Sequence, residues 1–549
     1  MTQTDLFPGQ SGLPVDNPTE SYWLKEPSEK LLGHRTTEQL PRTADVVIVG
    51  SGITGAFAAH FLKEKNPNLD IVMLEAREAC WGATGRNGGH CQPAIYASVA
   101  APHIAAFELR TYSYLKALVE EYSIPCDWRT TSGVHAFYSA ALFDTVRDAV
   151  ARLADGYPDL AANVAVVERG GTVPWLLEGE RREMTLDGLR VGAGAGAVVQ
   201  WNAASLWPYK LVAFVLERLL AAGRFNLQTN TPATGLSSSS AATATTSGTG
   251  TRDHDGGSTT LWTVHTPRGT VTAPRVLLAT NAYTSHLLPQ FADLIVPVRG
   301  QVSALKPPPP SPSPHSPPPP PQPPLDIGHT FVFAGEPDDP YSRDDYLIQR
   351  PPAAAELVFG GGRKHARGRG VGVWDDASTD EPVAWYLRGE LGGLMDLSHR
   401  PSPSAPSPSA PITATATGGE SKKKQDLEPT HEWTGIMGYS RDGYPWVGVV
   451  PPSLGGSDGR GLAVCAGFTG HGMPNAALCA KAVVSLMMAT TASGEKGEDA
   501  GEEDEEDVDL PPEYLLTEAR VGAARLLEEV HVVDAKGSLF MDFAHLGAL

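Results

Sequence analysis

The sequence predicts an α/β fold, and three observations carry that reading. Apolar strand-like runs alternate with helix-like stretches along the chain, the pattern of an α/β sheet. A glycine-rich turn joins the first such strand to the first such helix. The chain is also long enough for a sizeable core, with 549 residues of which 41% are hydrophobic. A typical domain holds roughly 100–200 residues, so this length implies two or more folding units or one large domain carrying insertions.

The elements follow in order. Asp45–Val49 reads as an apolar strand, Thr54–Lys65 as a helix and Asp70–Leu74 as a second strand. Phe107–Tyr122 and Trp207–Ala222 are predicted helices. In the second of these, Leu211, Val212, Val215, Leu216 and Leu219 recur at helical spacing. Arg275–Ala279 and Gly461–Gly467 are further buried strands. A helix is predicted over Pro474–Met488, with Pro474 in its first turn, where a missing N–H costs nothing.

Four tracts interrupt this pattern and read as insertions. Residues 237–259 are almost all Ser, Thr, Ala and Gly, and 306–324 are dominated by Pro. Residues 401–425 repeat Pro-Ser and Ala-Thr, and 493–509 hold ten acids and one lysine. None buries enough apolar area to offset the entropy of ordering it. Such Pro-rich runs can serve as ligands for SH3-like domains, but expansion of a surface loop explains them with less, because structured pattern resumes on both sides.

Charge and cysteine content narrow the classes. The net charge of −20 is a poor match for nucleic acid or an anionic membrane surface, whose recognition rests on basic patches. Five cysteines, none spaced as CxxC, exclude a disulfide scaffold and a zinc site of that type, and no metal site is expected. Residues 1–40 lack the apolar core of a signal peptide, no run has the ~18 apolar residues of a membrane span, and the final tripeptide is not of the SKL type. A cytoplasmic protein that touches no membrane and no nucleic acid is the expectation.

The sharpest motif is Val46-Val47-Ile48-Val49-Gly50-Ser51-Gly52-Ile53-Thr54-Gly55, a GxGxxG with a strand before it and a helix after it. Gly50 permits the tight turn, Gly52 lets the backbone approach a pyrophosphate, and Gly55 lets helix and strand pack closely. The phosphates then meet free N–H groups at a helix N-terminus. Glu75 stands twenty residues after Gly55 at the end of the second strand, where its carboxylate can accept from both hydroxyls of an adenosine ribose. This is a Rossmann-type dinucleotide site, against the blander reading of a glycine-rich turn in an unrelated α/β fold. The next segment, Gly82-Ala83-Thr84-Gly85-Arg86-Asn87-Gly88-Gly89-His90, can lie across an extended cofactor and offer N–H donors to it. An ordinary flexible loop is its plain alternative. Near the C-terminus, Phe468-Thr469-Gly470-His471-Gly472-Met473 sits between a strand and a helix and aims a second helix N-terminus at a ligand. His471 there could equally be a capping or packing histidine.

On these residues the chain resembles the D-amino-acid-oxidase-like (DAO) FAD-dependent oxidoreductases, and within them the branch holding γ-glutamylputrescine oxidoreductase. The resemblance takes in GATGRNGG at 82–89, CDWRTTSGVHAF at 126–137, SLWPYKLVAFVLERL at 205–219 and TNTPATGL at 229–236. It continues through LLATNAYTSHLLP at 277–289, VPVRGQ at 296–301, WTGIMGYSRDGYPWVG at 433–448 and GFTGHGM at 467–473. It implies a Rossmann-type FAD domain and a mixed-sheet (α+β) substrate domain, both discontinuous in sequence. On that basis an N-terminal arm spans 1–40, the FAD domain takes 41–127, 196–300 and 426–492, and the substrate domain takes 128–195 and 301–400. A linker at 401–425, the acidic insertion and a C-terminal tail at 510–549 complete the chain.

The resemblance also implies the sites. FAD is expected on Gly50, Ser51, Gly52, Ile53, Thr54, Gly55, Glu75, Ala76, Arg77, Thr84, Gly85, Arg86, Asn87, Gly88, Gly89 and Ala279, with Gly470, His471, Gly472 and Met473 along the flavin ring. Some relatives tether the flavin through a Cys in the segment matching 433–446, and this chain has none there. His90 does not match the other tethering pattern, so FAD is expected to be non-covalent. Lys364 and Arg363 are candidates to assist the oxygen reaction, and Arg299 to sit near the flavin or the anionic end of the substrate. Trp128, Trp207, Tyr283 and Tyr346 are candidate pocket walls. The implied activity is oxidation of the C–N bond of an amine or amino acid, by hydride transfer to flavin N5 and hydrolysis of the imine, with oxygen or another acceptor taking the electrons. Two other readings stay open on the sequence alone: an NAD-dependent dehydrogenase, and a catalytically silent flavoprotein used for binding or regulation.

Overall fold

The computed structural model describes residues 6–7, 9–97, 101–171, 173–174, 183–241, 259–309, 324–352, 354–399, 426–457, 461–489 and 509–527. Its first sheet has six strands in the order Trp446–Val449, Leu462–Ala466, Arg275–Leu278, Val46–Val49, Ile71–Leu74 and Phe225–Gln228. All neighbours are parallel except the first pair. The strand side chains divide cleanly by parity. Val46, Ile48, Ile71 and Met73 pack on one face against helices Ile53–Lys65, Pro208–Ala222 and Ala476–Ala489. Val47, Val49, Val72 and Leu74 pack on the other, against the small antiparallel sheet Gly235–Ala241, Thr259–Thr266 and Gly269–Ala273. Both faces are covered, so every residue of these strands can be apolar.

A second, nine-stranded mixed sheet lies beside the first. It runs Pro429–Ser440, Ile295–Leu305, Leu357–Gly361, Asp339–Gln349, Thr330–Glu336, Arg129–Phe137, Gly196–Ser205 and His90–Cys91, with Val164–Glu168 also on Gly196–Ser205. Helix Glu381–Leu394 covers one face through Val383, Leu387 and Leu391, and helix Ala140–Gly156 covers part of the other through Leu142, Val146 and Leu153.

Several expectations change here. Strands Gly196–Ser205 and Pro429–Ser440 pair within the second sheet, not with the nucleotide-side segments to which the sequence assigns 196–300 and 426–492. Backbone pairing to Arg129–Phe137 and Ile295–Leu305 decides this, and no local pattern reveals it. The Ser-rich tract expected to stay unstructured from 237 onward extends a strand through Ala241, paired with Thr259–Leu261. Ladder hydrogen bonds come from the backbone, so weak side-chain propensity did not prevent it. Residues 242–258, 310–323, 400–425 and 490–508 lie outside the described residues. The N-terminal arm is built into the fold: Tyr22 and Trp23 are fully buried. The segment from 510 is no loose tail either, since Tyr514 and Leu516 are buried and Leu515 bridges Val447. Finally, the helix expected over Pro474–Met488 starts at Ala476, and Pro474 lies in the turn before it.

No helix among the described residues is long and apolar enough to cross a membrane.

Candidate functional site

The turn after the first strand is held from behind. Gly50 has φ +105°, and a Cβ there would lie 2.5 Å from the carbonyl oxygen of Ala279. A Cβ on Gly55 would lie 2.0 Å from the oxygen of Gly50, so strand and helix touch backbone to backbone. Gly52 is different: its φ is −67°, and its missing Cβ faces the cavity, with only Thr84 Oγ1 near, at 3.1 Å. Glu75 follows the second strand, and its carboxylate accepts from Ser51 N at 3.0 Å, Ser51 Oγ at 2.6 Å and Arg77 N at 3.0 Å. The acid is thereby fixed beside the first turn of the helix.

The cavity starting at this turn is long, enclosing about 1880 Å³ counting its open mouth. Gly50–Thr54 and Glu75–Arg77 line one end, with Leu13 and Pro14 of the N-terminal segment. Thr84, Arg86, Asn87 and Gly88 also line it, together with Ala279–Tyr283. Gly470–Met473, Ala476, Gln92, Gln301, Tyr346 and Arg363 line the rest. The two glycine clusters, more than 400 residues apart in sequence, therefore open into one space. Loop 467–473 is set by its neighbours: Thr469 N donates to Gly438 O at 2.8 Å, and Gly467 N to Asn281 Oδ1 at 3.0 Å.

A second carboxylate, Asp376, holds two of the cavity's cations. Asp376 is buried at 1% exposure and takes both terminal nitrogens of Arg77, at 2.9 and 3.1 Å, while Arg86 Nε approaches it at 3.1 Å. Arg86 Nε also donates to Thr434 O at 2.7 Å and Nη2 to Thr19 Oγ1 at 2.6 Å. Burial holds the Arg86 guanidinium down at about 10, so it stays a cation at neutral pH. Glu75 is the other carboxylate beside them, so the two cations are balanced, and what an incoming diphosphate would meet is the unpartnered Arg86 Nη1 rather than excess charge.

Among the described residues, Arg86 Nη1, Arg363 Nη1 and Gln301 Nε2 are buried without a hydrogen-bond partner, and all three residues line the cavity. Orphaned donors beside a glycine cradle are what a bound anionic dinucleotide and an anionic substrate group would satisfy. The residues present thus fit such a group.

Residues 45–486 match the family model described as FAD dependent oxidoreductase, DAO. The chain belongs to the DAO family of FAD-dependent oxidoreductases. A probable oxidoreductase OrdL of Rhizobium meliloti is 23% identical to this DAO-family chain over 460 residues, 81% of this chain and 83% of the relative. The γ-glutamylputrescine oxidoreductase of Escherichia coli is 31% identical over 97 residues, 16% of this chain and 22% of the relative. The fold is shared with glycine oxidase from Geobacillus kaustophilus at 17% identity and a TM-score of 0.56, covering 82% of this chain and 95% of that one. The NAD-dependent alternative falls with this membership, because the DAO family uses FAD.

Not every expected residue reaches the cavity of this DAO-family chain. Gly55, Gly85 and Gly89 stand behind its wall, where a Cβ would strike Gly50 O, Cys80 O and the Trp23 ring respectively. Arg299 does not line it. Its Nη2 pairs with Asp380 at 2.9 Å and its Nη1 reaches Asp375 O and Ser378 Oγ, so the loop after residue 370 captures it. Lys364 is also outside, paired with Glu336. Tyr283 and Tyr346 line the cavity, whereas Trp207 packs into the core against Tyr22 and Trp23 and Trp128 against Tyr112. His90 lines it too, and burial pulls its imidazole down to about 3, so it is neutral. Sequence reasoning missed Asn281, Gln301, Asp376 and Glu108, which position or line the site. Only Asn281 and Gln301 lay inside motifs that had been singled out.

Proposed function

We propose that this chain oxidises the C–N bond of an amine or amino acid that bears an anionic group. The observation carrying this reading is the cavity itself: a dinucleotide cradle at one end and, in the same space, the unpartnered donors Arg363 Nη1 and Gln301 Nε2. Two similar proteins, a γ-glutamylputrescine oxidoreductase and a glycine oxidase, support the substrate class. Bound in this cradle, FAD supplies the hydride acceptor, its N5 atom, and the oxidised substrate leaves as an imine that water hydrolyses.

The protein's part is positioning. Glu75 would hold the ribose hydroxyls, the first turn of helix Ile53–Lys65 and Arg86 would hold the phosphates, and Gly470–Met473 would line the flavin end. The N-terminus of helix Ala476–Ala489 points into the same space and favours added negative charge there by on the order of 1 kcal/mol. Arg363, with its Nε at 3.3 Å from Asp344, and Gln301 hold the anionic end of the substrate. Oxygen or another acceptor then takes the electrons.

The test is anaerobic exposure of the yellow holoenzyme to a panel of primary and secondary amines and amino acids. At least one member bleaches the flavin, and admitting oxygen or an artificial acceptor restores the colour. If nothing on the panel bleaches it, the silent-flavoprotein reading takes over.

The flavin is held without a covalent bond in this reading: no cysteine lines the cavity, and all five are buried. Acid precipitation is expected to leave the colour in the supernatant, and a yellow pellet would overturn the point.

A further inference from the structure

An amine must lose a proton before its C–H can leave as hydride, because only the free base has a nitrogen lone pair to form the imine. An alkylammonium with a pKa of ~10.4 is roughly 99.9% protonated at neutral pH. Some group beside the substrate must receive that proton.

Helix Pro102–Tyr122 carries Glu108, buried at 2% exposure among apolar neighbours. Its Oε2 faces His471 Nε2 at 3.0 Å and accepts from Ala94 N at 2.6 Å, and its Oε1 accepts from Asn475 Nδ2 at 2.8 Å. Asn475 is in turn held by Tyr514, whose hydroxyl donates to Asn475 Oδ1 at 3.0 Å. His471 lines the cavity within the GFTGHGM loop. Its ring is therefore fixed from the rear by a carboxylate that three donors surround. With the Nε2 proton donated to Glu108, Nδ1 carries the free lone pair of the imidazole. A cap or a packing histidine needs no buried carboxylate behind it.

We propose that His471 Nδ1 is the base that takes the proton of the substrate ammonium, and that Glu108 positions it and balances the resulting charge. The N–H bond of the ammonium breaks, its electron pair stays on the substrate nitrogen, and the proton moves to the imidazole. No oxidant or co-reactant enters the step. The proposal rests on the amine-oxidation reading above.

The other titratable groups around the pair are silent. Burial pushes the thiols of Cys91 and Cys479 and the Tyr514 hydroxyl upward, and it pulls the imidazoles of His90 and His135 down to about 3. The thiols and the phenol keep their protons and the two imidazoles bind one only weakly, so none of the five competes as the base.

The test uses the holoenzyme and the panel amine that bleaches its flavin fastest. His471→Asn slows anaerobic bleaching by about 10²- to 10³-fold at pH 7. The deficit shrinks about tenfold per pH unit and is gone by about pH 10, where the amine is its own free base. Glu108→Gln gives a smaller loss, about tenfold, with the same recovery. A second readout needs no turnover: calorimetric titration of the amine into dithionite-reduced holoenzyme, in two buffers of different ionisation enthalpy. Wild type releases no proton to the buffer, whereas His471→Asn releases about one. A deficit that is constant with pH, or equal proton release in both proteins, overturns the proposal. If instead no amine bleaches wild type at any pH, the amine-oxidation reading itself has failed.

Discussion

Gly52→Val yields folded, colourless protein. The three glycines of the first turn are not equivalent, and the structure separates their duties. Gly50 has a left-handed backbone and abuts Ala279 O at 2.5 Å, and Gly55 abuts Gly50 O at 2.0 Å for an added Cβ. Side chains there collide with backbone, which cannot give way, so substitution damages the fold. Gly52 has the extended backbone of an ordinary N-cap, φ −67° and ψ −174°, which valine adopts freely. Loss of the glycine N-cap costs up to about 1 kcal/mol. The isopropyl group instead fills the space where a pyrophosphate must approach the helix. Each charge-assisted hydrogen bond lost there is worth about 1.5–3 kcal/mol, so FAD affinity drops by roughly 10³-fold or more. Two measurements check this: the flavin absorbance of the purified variant, and the melting temperature of the variant against wild-type apoprotein. The expected pair is no flavin and a Tm within a few degrees. A variant with normal flavin content would show that the cofactor does not pass over Gly52.

Arg363→Met removes turnover of carboxylate-bearing amines while leaving FAD in place. Arg363 is 6% exposed, its Nε is spent on Asp344, and its Nη1 has no partner among the described residues. A buried guanidinium with one donor unspent binds an incoming carboxylate strongly. Removing one partner of such a pair costs about 2–5 kcal/mol, which is a fall in kcat/KM of roughly 30- to 5,000-fold. The matching measurement pairs each amino acid with its decarboxylated amine. The loss falls on the acid and spares the amine, and Arg363→Lys recovers part of it. Equal losses on both would place the anionic end of the substrate elsewhere, with Gln301 as the next residue to test.

What was legible in the sequence was local. The strand–turn–helix at 46–65, the acid at 75 and the loop at 467–473 each declare their chemistry within a few residues, and the structure brings them into one cavity. What was not legible depends on partners far away in the chain. Asp376 serves Arg77 across 299 positions, and Glu108 serves His471 across 363. The misplaced cations show the same limit. Arg299 sits two residues from Gln301, which does line the cavity, yet Asp380 and Ser378 catch its guanidinium first. Arg363 and Lys364 are neighbours in one tight turn, and they diverge to Asp344 inside and Glu336 outside. Basic residues in a promising segment are thus sorted by which acid happens to fold over them.

The carboxylate of Asp376 ties together pieces that synthesis makes far apart. Thr19 N donates to its backbone carbonyl at 2.8 Å, and its side chain grips residues 77 and 86. An isolated N-terminal half would own the glycine turn and Glu75 but would lack this knot and the closing loop near residue 470. Coenzyme capture is therefore an act of the completed polypeptide, and a colourless fragment carrying the diagnostic motif intact is the natural product of truncation anywhere before residue 376.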